Sequence, residues 1–324
     1  LTKVSNSMLV QPVNHNILIN PSFTVKQRGD VVEHPTGSYG PDRWSFRGLN
    51  QVGGTEVKSS TEVDDVTGIN KLVVEHPRDA TDPIKGSAYI RQYIEAVNLR
   101  GLYSKEMTLS FGYSDAGGSG IPQVVVGSYN SSGTTKTLHD AVPTSLGDNR
   151  WACTFTLSID GTIPDPSEKG MLVQIHPNEK NNAPSEWRVW ETKLEVGSIV
   201  TPFIARSHGE ELALCQRYFQ KVTDGGVTGS TLTNATVWDT NTIYAVWQYT
   251  MEMRASPTKH EVGGSFGIYA GSQSQTFTDL NVSLITKYGC EFSFLKSGHG
   301  LAVGNGAWVR FKSAGGYVEF DAEL

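Results

Sequence analysis

Apolar and polar residues alternate in short runs along most of the chain, and Gly, Asn, Asp, Ser or Pro closes each run. That period of two is the mark of half-buried β-strands. The first definite run, NILINPSF from Asn16, reads as an edge strand with its turn at Asn20-Pro21. GPDRWSF, residues 40–46, puts Trp44 on the next strand after a Pro-Asp turn. Further strands are predicted at 54–58, 71–75, 87–96, 106–113, 123–129, 151–157, 170–176 and 187–194. About ten strands with no helix between them predict an all-β two-sheet sandwich, a jelly roll in its commonest form.

A second set follows. After a Gly/Thr/Ser-rich opening, strands are predicted at 244–253, 265–270, 280–285, 290–294, 307–312 and 317–322, with a turn at Ser256-Pro257. They predict a smaller antiparallel sandwich. In IYAVWQYTMEMR, Val246 and Gln248 fall on the opposite face from Trp247.

Between the two sets the period changes. Ser207 and Glu210 are spaced as a capping box, in which the hydroxyl accepts from an N–H three residues on and the carboxylate reaches back. Behind them Leu212, Cys215 and Phe219 lie on one helical stripe, Leu214 and Tyr218 on another. The pattern predicts a helix of about four turns over 207–221, apolar on two sides. Two apolar faces call for more than one partner, and a homotrimer around the helix is expected. The domain plan is therefore a neck or linker at 1–15, a jelly roll at 16–206, a junction helix at 207–221 and a C-terminal sandwich at 222–324.

With 324 residues the chain is long enough for two cores. Net charge is -6 with both signs mixed and no basic stripe, so nucleic acid is not expected as a partner. No run of eighteen apolar residues occurs, so no membrane insertion is expected. Cys153, Cys215 and Cys290 are far apart and set among apolar neighbours, which favours buried free thiols and assembly in a reducing cytoplasm. Leu1 stands where a start Met would be, so the chain is read as a fragment whose upstream part attaches it elsewhere.

Catalytic signals are weak. Asp64-Asp65 and Asp79 with Asp82 sit in turn-like sequence, and Glu210-Glu211 opens the helix. A glycosidase needs two carboxyls across a cleft, which adjacency does not provide. No paired-His metal motif, G-x-S-x-G or phosphate-binding loop is present, and GGSG at 117–120 lacks the Lys and helix such a loop requires. The expectation is a protein that is not an enzyme and uses no cofactor.

Three stretches carry a resemblance. LEVGS-x-x-TPF-x-x-RS-x-GEELALCQRY from Leu194, MRASPT from Met253 and the ending FDAEL resemble tailed-phage tail fibres, and LTKVSNSML resembles the neck before their receptor-binding domains. The resemblance implies a place in the virion and an upstream tail-attachment region. It also implies a homotrimer with 222–324 at the tip, and a host cell-surface polysaccharide as partner. The opening N-x-L-x-N-P-x-F, then YIRQYIE, MTLSFGY and W-x-x-x-LEVGS, resemble the carbohydrate-binding jelly rolls attached to xylanases and cellulases. In that family a glycan lies across one sheet, on aromatic rings and bidentate polar groups.

On residues 87–96, Tyr89, Arg91 and Tyr93 share one face. Met171, Val173 and Ile175 read as core, leaving Gln174 and His176 outward. On 187–194, either Trp190 and Leu194 sit with Arg188, or Trp187 sits with Val189 and Glu191. The expected carbohydrate-binding set is Tyr89, Arg91, Gln174, His176, Trp187 and Glu191. Taken singly, Tyr89 and Trp187 are better explained by packing, and the set carries more weight than any one member. The resemblance also implies a structural calcium near the first and last strands, but Thr24 and Trp190-Glu191-Thr192 stand where acids are expected, so no metal is expected. Two other readings remain, a polysaccharide depolymerase and a structural fibre segment.

Overall fold

A computed structural model of the chain describes residues 15–30, 32–34, 38–48, 57–75, 88–116, 120–129, 135–157, 168–177 and 186–324. Most of the 1–15 neck, Asp79, Asp82 and most of the GGSG loop lie outside them. The chain divides into two compact units, one running to Glu211 and taking in Leu324, the other Leu212–Glu323.

The first unit holds twelve described strands, numbered in chain order, in two antiparallel sheets. The larger runs β1 (Val32–His34), β3 (Val57–Val63), β4 (Asn70–Glu75), β12 (Glu186–Val196), β6 (Glu106–Asp115), β10 (Arg150–Thr156) and β9 (Thr144–Gly147). The smaller runs β2 (Ser45–Gly48), β5 (Ala88–Glu95), β11 (Lys169–Pro177), β7 (Pro122–Tyr129) and β8 (Thr135–Ala141). Within them β4-β12-β6-β10 and β5-β11-β7-β8 form the two four-stranded halves of a jelly roll. Among these eight strands, every step along the chain except the β7–β8 hairpin crosses to the other sheet.

Alternation decides what fills the space between the sheets. Ile90 and Ile94 of β5, Met171, Val173 and Ile175 of β11, and Val124 and Val126 of β7 point in from one side. Leu72, Val74, Leu109, Phe111, Trp187 and Val189 meet them from the other. On β12 this order changes at a β-bulge between Trp190 and Lys193, with Glu191 at φ 46°. After the extra residue, Leu194 faces the same core as Trp187 although the two differ by an odd count. Outside the bulge the Trp190 indole covers Gly112, where a Cβ would come within 2.0 Å of the ring.

The expected edge strand at Asn16 is not a strand. Residues 15–25 form no ladder: beside single backbone bonds from Ile17 N to Leu194 O and from Thr192 N to Pro21 O, several of their backbone groups are taken by side chains. Asn16 donates to Thr192 O and its Oδ1 accepts from Leu18 N and Leu194 N. Gln92 both accepts from Ile19 N and donates to Ile19 O. Asn20, at φ 54°, donates to Val25 O and Asp42 O, and Trp44 Nε1 donates to its carbonyl. Buried amides thus replace a β-partner, satisfying polar groups that burial would otherwise penalise.

The capping box forms as its spacing implies. Glu210 N donates to Ser207 Oγ at 3.3 Å, and Ser207 N donates to Glu210 Oε2 at 3.0 Å. The helix behind it, α1, spans only His208–Gln216. It is shorter than the four turns expected, because Phe219 and its successors belong to a strand, β13 (Phe219–Thr223), paired along its whole length with β22 (Tyr317–Asp321). Helix propensity there yields to a sheet partner about a hundred residues away, as weak local preference does against tertiary pairing.

The second unit has a three-stranded sheet, β13-β22-β16 (Lys259–Gly263), and a seven-stranded one. The latter runs β18 (Gln273–Phe277), β17 (Phe266–Ala270), β21 (Gly306–Phe311), β14 (Thr231–Val237), β15 (Thr242–Gln248), β20 (Gly289–Leu295) and β19 (Leu280–Ser283). Phe266, Ile268, Phe292, Phe294, Val309 and Phe320 build its core, with Phe292 and Phe320 stacked at 6.3 Å. Trp247 stacks on Phe292 while Val246 and Gln248 face outward, so the alternation read on this strand is the one adopted. The strand itself ends at Gln248 and does not continue to Met253.

Candidate functional site

Because Ile90 and Ile94 occupy the core, the intervening Tyr89, Arg91 and Tyr93 stand on the outer face of the five-stranded sheet. β11 lies beside β5 in a register that sets Gln174 directly opposite Arg91 and Leu172 opposite Tyr93. On its other side Gln174 pairs with Val125, and His176 with Gln123. Tyr89, Arg91, Gln174 and His176, four of the six expected residues, are thereby brought onto one face.

The rings there are not open platforms. Tyr89 is 6% exposed, Tyr93 7% and His176 5%. The Arg91 guanidinium lies 4.9 Å from the Tyr93 ring centroid and 5.9 Å from that of Tyr89, and Lys169 Nζ lies 4.4 Å from Tyr93. Tyr129 meets Tyr93 edge to face at 6.0 Å, and Tyr89 packs at 6.4 Å from His176. Burial pushes the Tyr93 hydroxyl up to about 12, so it stays neutral and serves the two cations as a π surface. Arg91 Nε also donates to Ser45 Oγ at 3.1 Å. Arg91 and Gln174 are half-buried on this face, as are Gln123, Val125, Tyr129 and Lys169 around them. Tyr93, Tyr129 and Lys169 complete the arrangement and were not in the expected set; Tyr93 was legible from its phase with Tyr89, but Tyr129 and Lys169 arrive only through strand pairing.

The other two expected residues go elsewhere. Trp187 is fully buried in the core, 5.9 Å from the Tyr113 ring, and offers no face to a sugar. Its phase follows Val189, and burial of so large a side chain outweighs any surface use. Glu191 is on the opposite sheet, turned out by the bulge, where it accepts from Arg150 Nη1 at 3.1 Å.

Glu191 also lines a cavity of about 390 Å³ with Ser22, Thr24, Asn70, Arg206 and Glu211. This is where the resemblance would place calcium, and the donor set does not suit it. Glu191 is paired with Arg150, and Glu211 with Arg206 at 3.0 Å and with Asn20 N. Guanidinium groups already neutralise the carboxylates a hard cation would need. Among the described residues no group of three or more His, Cys, Asp or Glu could hold a metal.

The adjacent acids are engaged in local structure. Asp64 accepts from Lys71 Nζ and from Thr67 and Val66 N–H groups, and Lys71 foremost holds its carboxyl far below the usual range. Glu210 caps α1, and Glu211 is paired as described. Among the described residues no helix is long and apolar enough to cross a membrane.

No family model matches the chain, and no curated protein does. Among solved structures, the enzymatically active domain of tailspike protein 4 from bacteriophage CBA120 aligns at 10% identity and TM-score 0.32, over 56% of this chain and 21% of that one. The CBM22-1 xylan-binding domain of Paenibacillus barcinonensis Xyn10C aligns at 13% identity and TM-score 0.32, over 58% and 98%. A cyclase from Fischerella sp. TAU aligns at 14% and 0.37, over 58% and 100%. Scores this low carry no argument.

Proposed function

We propose that this protein is a receptor-binding component of a phage tail fibre, that it binds a host surface polysaccharide without cleaving it, and that it works as a homotrimer. The observation that carries the binding reading is the Arg91–Gln174 pair in register on an outer sheet face. The guanidinium is held in place by Tyr93, Tyr89 and Ser45. A guanidinium and a carboxamide side by side supply several directed donors and one acceptor, the complement of vicinal sugar hydroxyls or a uronate carboxylate. Recognition on this face runs through hydrogen bonds, since the tyrosine rings already carry cations.

The fibre reading rests on the tail-fibre sequence motifs, and trimerisation on Leu212 and Leu214, which stay half-buried in the single chain. Three weak sites on one trimer gain avidity without new contacts. Binding of the purified protein to host envelopes and their extracted polysaccharide tests the reading. Loss of that binding in Arg91→Ala and Gln174→Ala is expected, with no new reducing ends in the polysaccharide. A sedimentation mass of one chain would overturn the trimer, and release of reducing ends would favour a depolymerase.

A further inference from the structure

The second unit has the open aromatic rings that the described residues of the first lack. On the outer face of its seven-stranded sheet, Tyr269 of β17, Trp308 of β21 and Asn234 of β14 are direct lateral partners. Trp308 is 57% exposed. Arg310 lies 5.0 Å from the Tyr269 centroid and 5.3 Å from that of Trp308, propping both rings from beside. Just past the end of β14, Trp238 is 66% exposed and meets Tyr244 edge to face at 6.1 Å.

Between these rings run two grooves. One, of about 430 Å³, is lined by Tyr269, Trp308, Gly306 and Asn234; the other, of about 540 Å³, by Asn234, Thr236, Trp238, Tyr244 and Val246. Both include Asn234 and Ala235, so they adjoin at the exposed Asn234 amide and make a channel in two parts. Its floor is made of small residues. Gly306 has no atom within 4 Å of where a Cβ would stand, and Ala235 and Ala307 are buried beneath it. No charged side chain lines either groove.

We infer that this channel binds a neutral oligosaccharide. Sugar rings present C–H faces to Trp308 and Trp238 and hydroxyl edges to Asn234 and Thr236, which both donate and accept. Arg310 is engaged with the Tyr269 and Trp308 rings, and along the second groove no cation faces an acidic chain, which stays uncompensated when its water is removed, so the neutral class is preferred. Exposed rings with grooves between them suit a chain of sugars better than the flat surface of another subunit. The inference shares a ligand class with the proposed function but no residue with the Arg91 face, so the two fail separately.

The test is an array of neutral and acidic bacterial surface glycans probed with the full chain, Trp308→Ala, Asn234→Ala and Arg91→Ala, with thermal unfolding and sedimentation of each. Neutral-glycan binding is expected to weaken about tenfold or more in Trp308→Ala and Asn234→Ala, the loss typical of a central anchor, and to persist in Arg91→Ala. Absence of any neutral-glycan signal from the wild type overturns the inference. So does unchanged binding by Asn234→Ala and Trp308→Ala, or a fall in sedimentation mass on Trp308→Ala in a folded chain, which would make the face a contact between copies.

Discussion

Arg91 and Gln174 face one another across neighbouring antiparallel strands, and the Arg91 guanidinium is pinned 4.9 Å above the Tyr93 ring. Two polar heads held this way have lost much of their rotamer freedom before any ligand arrives. Arg91→Ala is expected to weaken polysaccharide binding about tenfold or more, as losing a charged hydrogen bond does, with stability changed by roughly 1 kcal/mol or less. Calorimetric titration beside thermal unfolding separates the two effects.

Trp187 gives the opposite expectation. It fills the first core beside Tyr113, so Trp187→Ala should cost about 3–5 kcal/mol in stability, measured by denaturant unfolding. Polysaccharide affinity of whatever fraction remains folded should be unchanged. A specific affinity loss at full stability would return Trp187 to the binding set.

Glu210 sets a pH dependence at the helix start. Hydrogen bonds from Ser207, side chain first, hold its carboxyl below its ordinary 4.5. A depressed carboxylate contributes stability above the unfolded-state value and loses it as pH falls through the folded-state value. The advantage of wild type over Glu210→Ala should therefore be full at neutral pH and shrink below about pH 4.5, read from unfolding midpoints at a series of pH values.

The cysteines should be silent in the native state. Burial pushes the Cys153 and Cys290 thiols up to about 12, and Cys215 is fully buried. Alkylation at pH 8 is expected only after denaturation, when all three label together; mass spectrometry of native and unfolded samples checks it.

The legible parts share one cause. β5, β6, β7, β10, β11, β20 and β21 are strands that send apolar residues at every second position into a core, and that period of two is visible without knowing the partner. Asn16–Val25 misled because alternation was present while buried Asn and Gln side chains took the ladder's place. β14, β16 and β18 were unread, being rich in Thr, Ser, Gln, Lys and Glu, so their strand character comes from pairing.

By itself the sequence determined an all-β chain in two regions, the capping box at Ser207 and Glu210, and the shared phase of Tyr89, Arg91 and Tyr93. These are local facts, fixed by spacing along one strand or one helical turn. Tertiary structure alone decided that Gln174 lies beside Arg91, that the bulge parts Glu191 from Trp187, and that Phe219 leaves the helix for β22. Register between distant strands depends on which partner buries most apolar surface and satisfies most backbone groups, and no single segment carries that information.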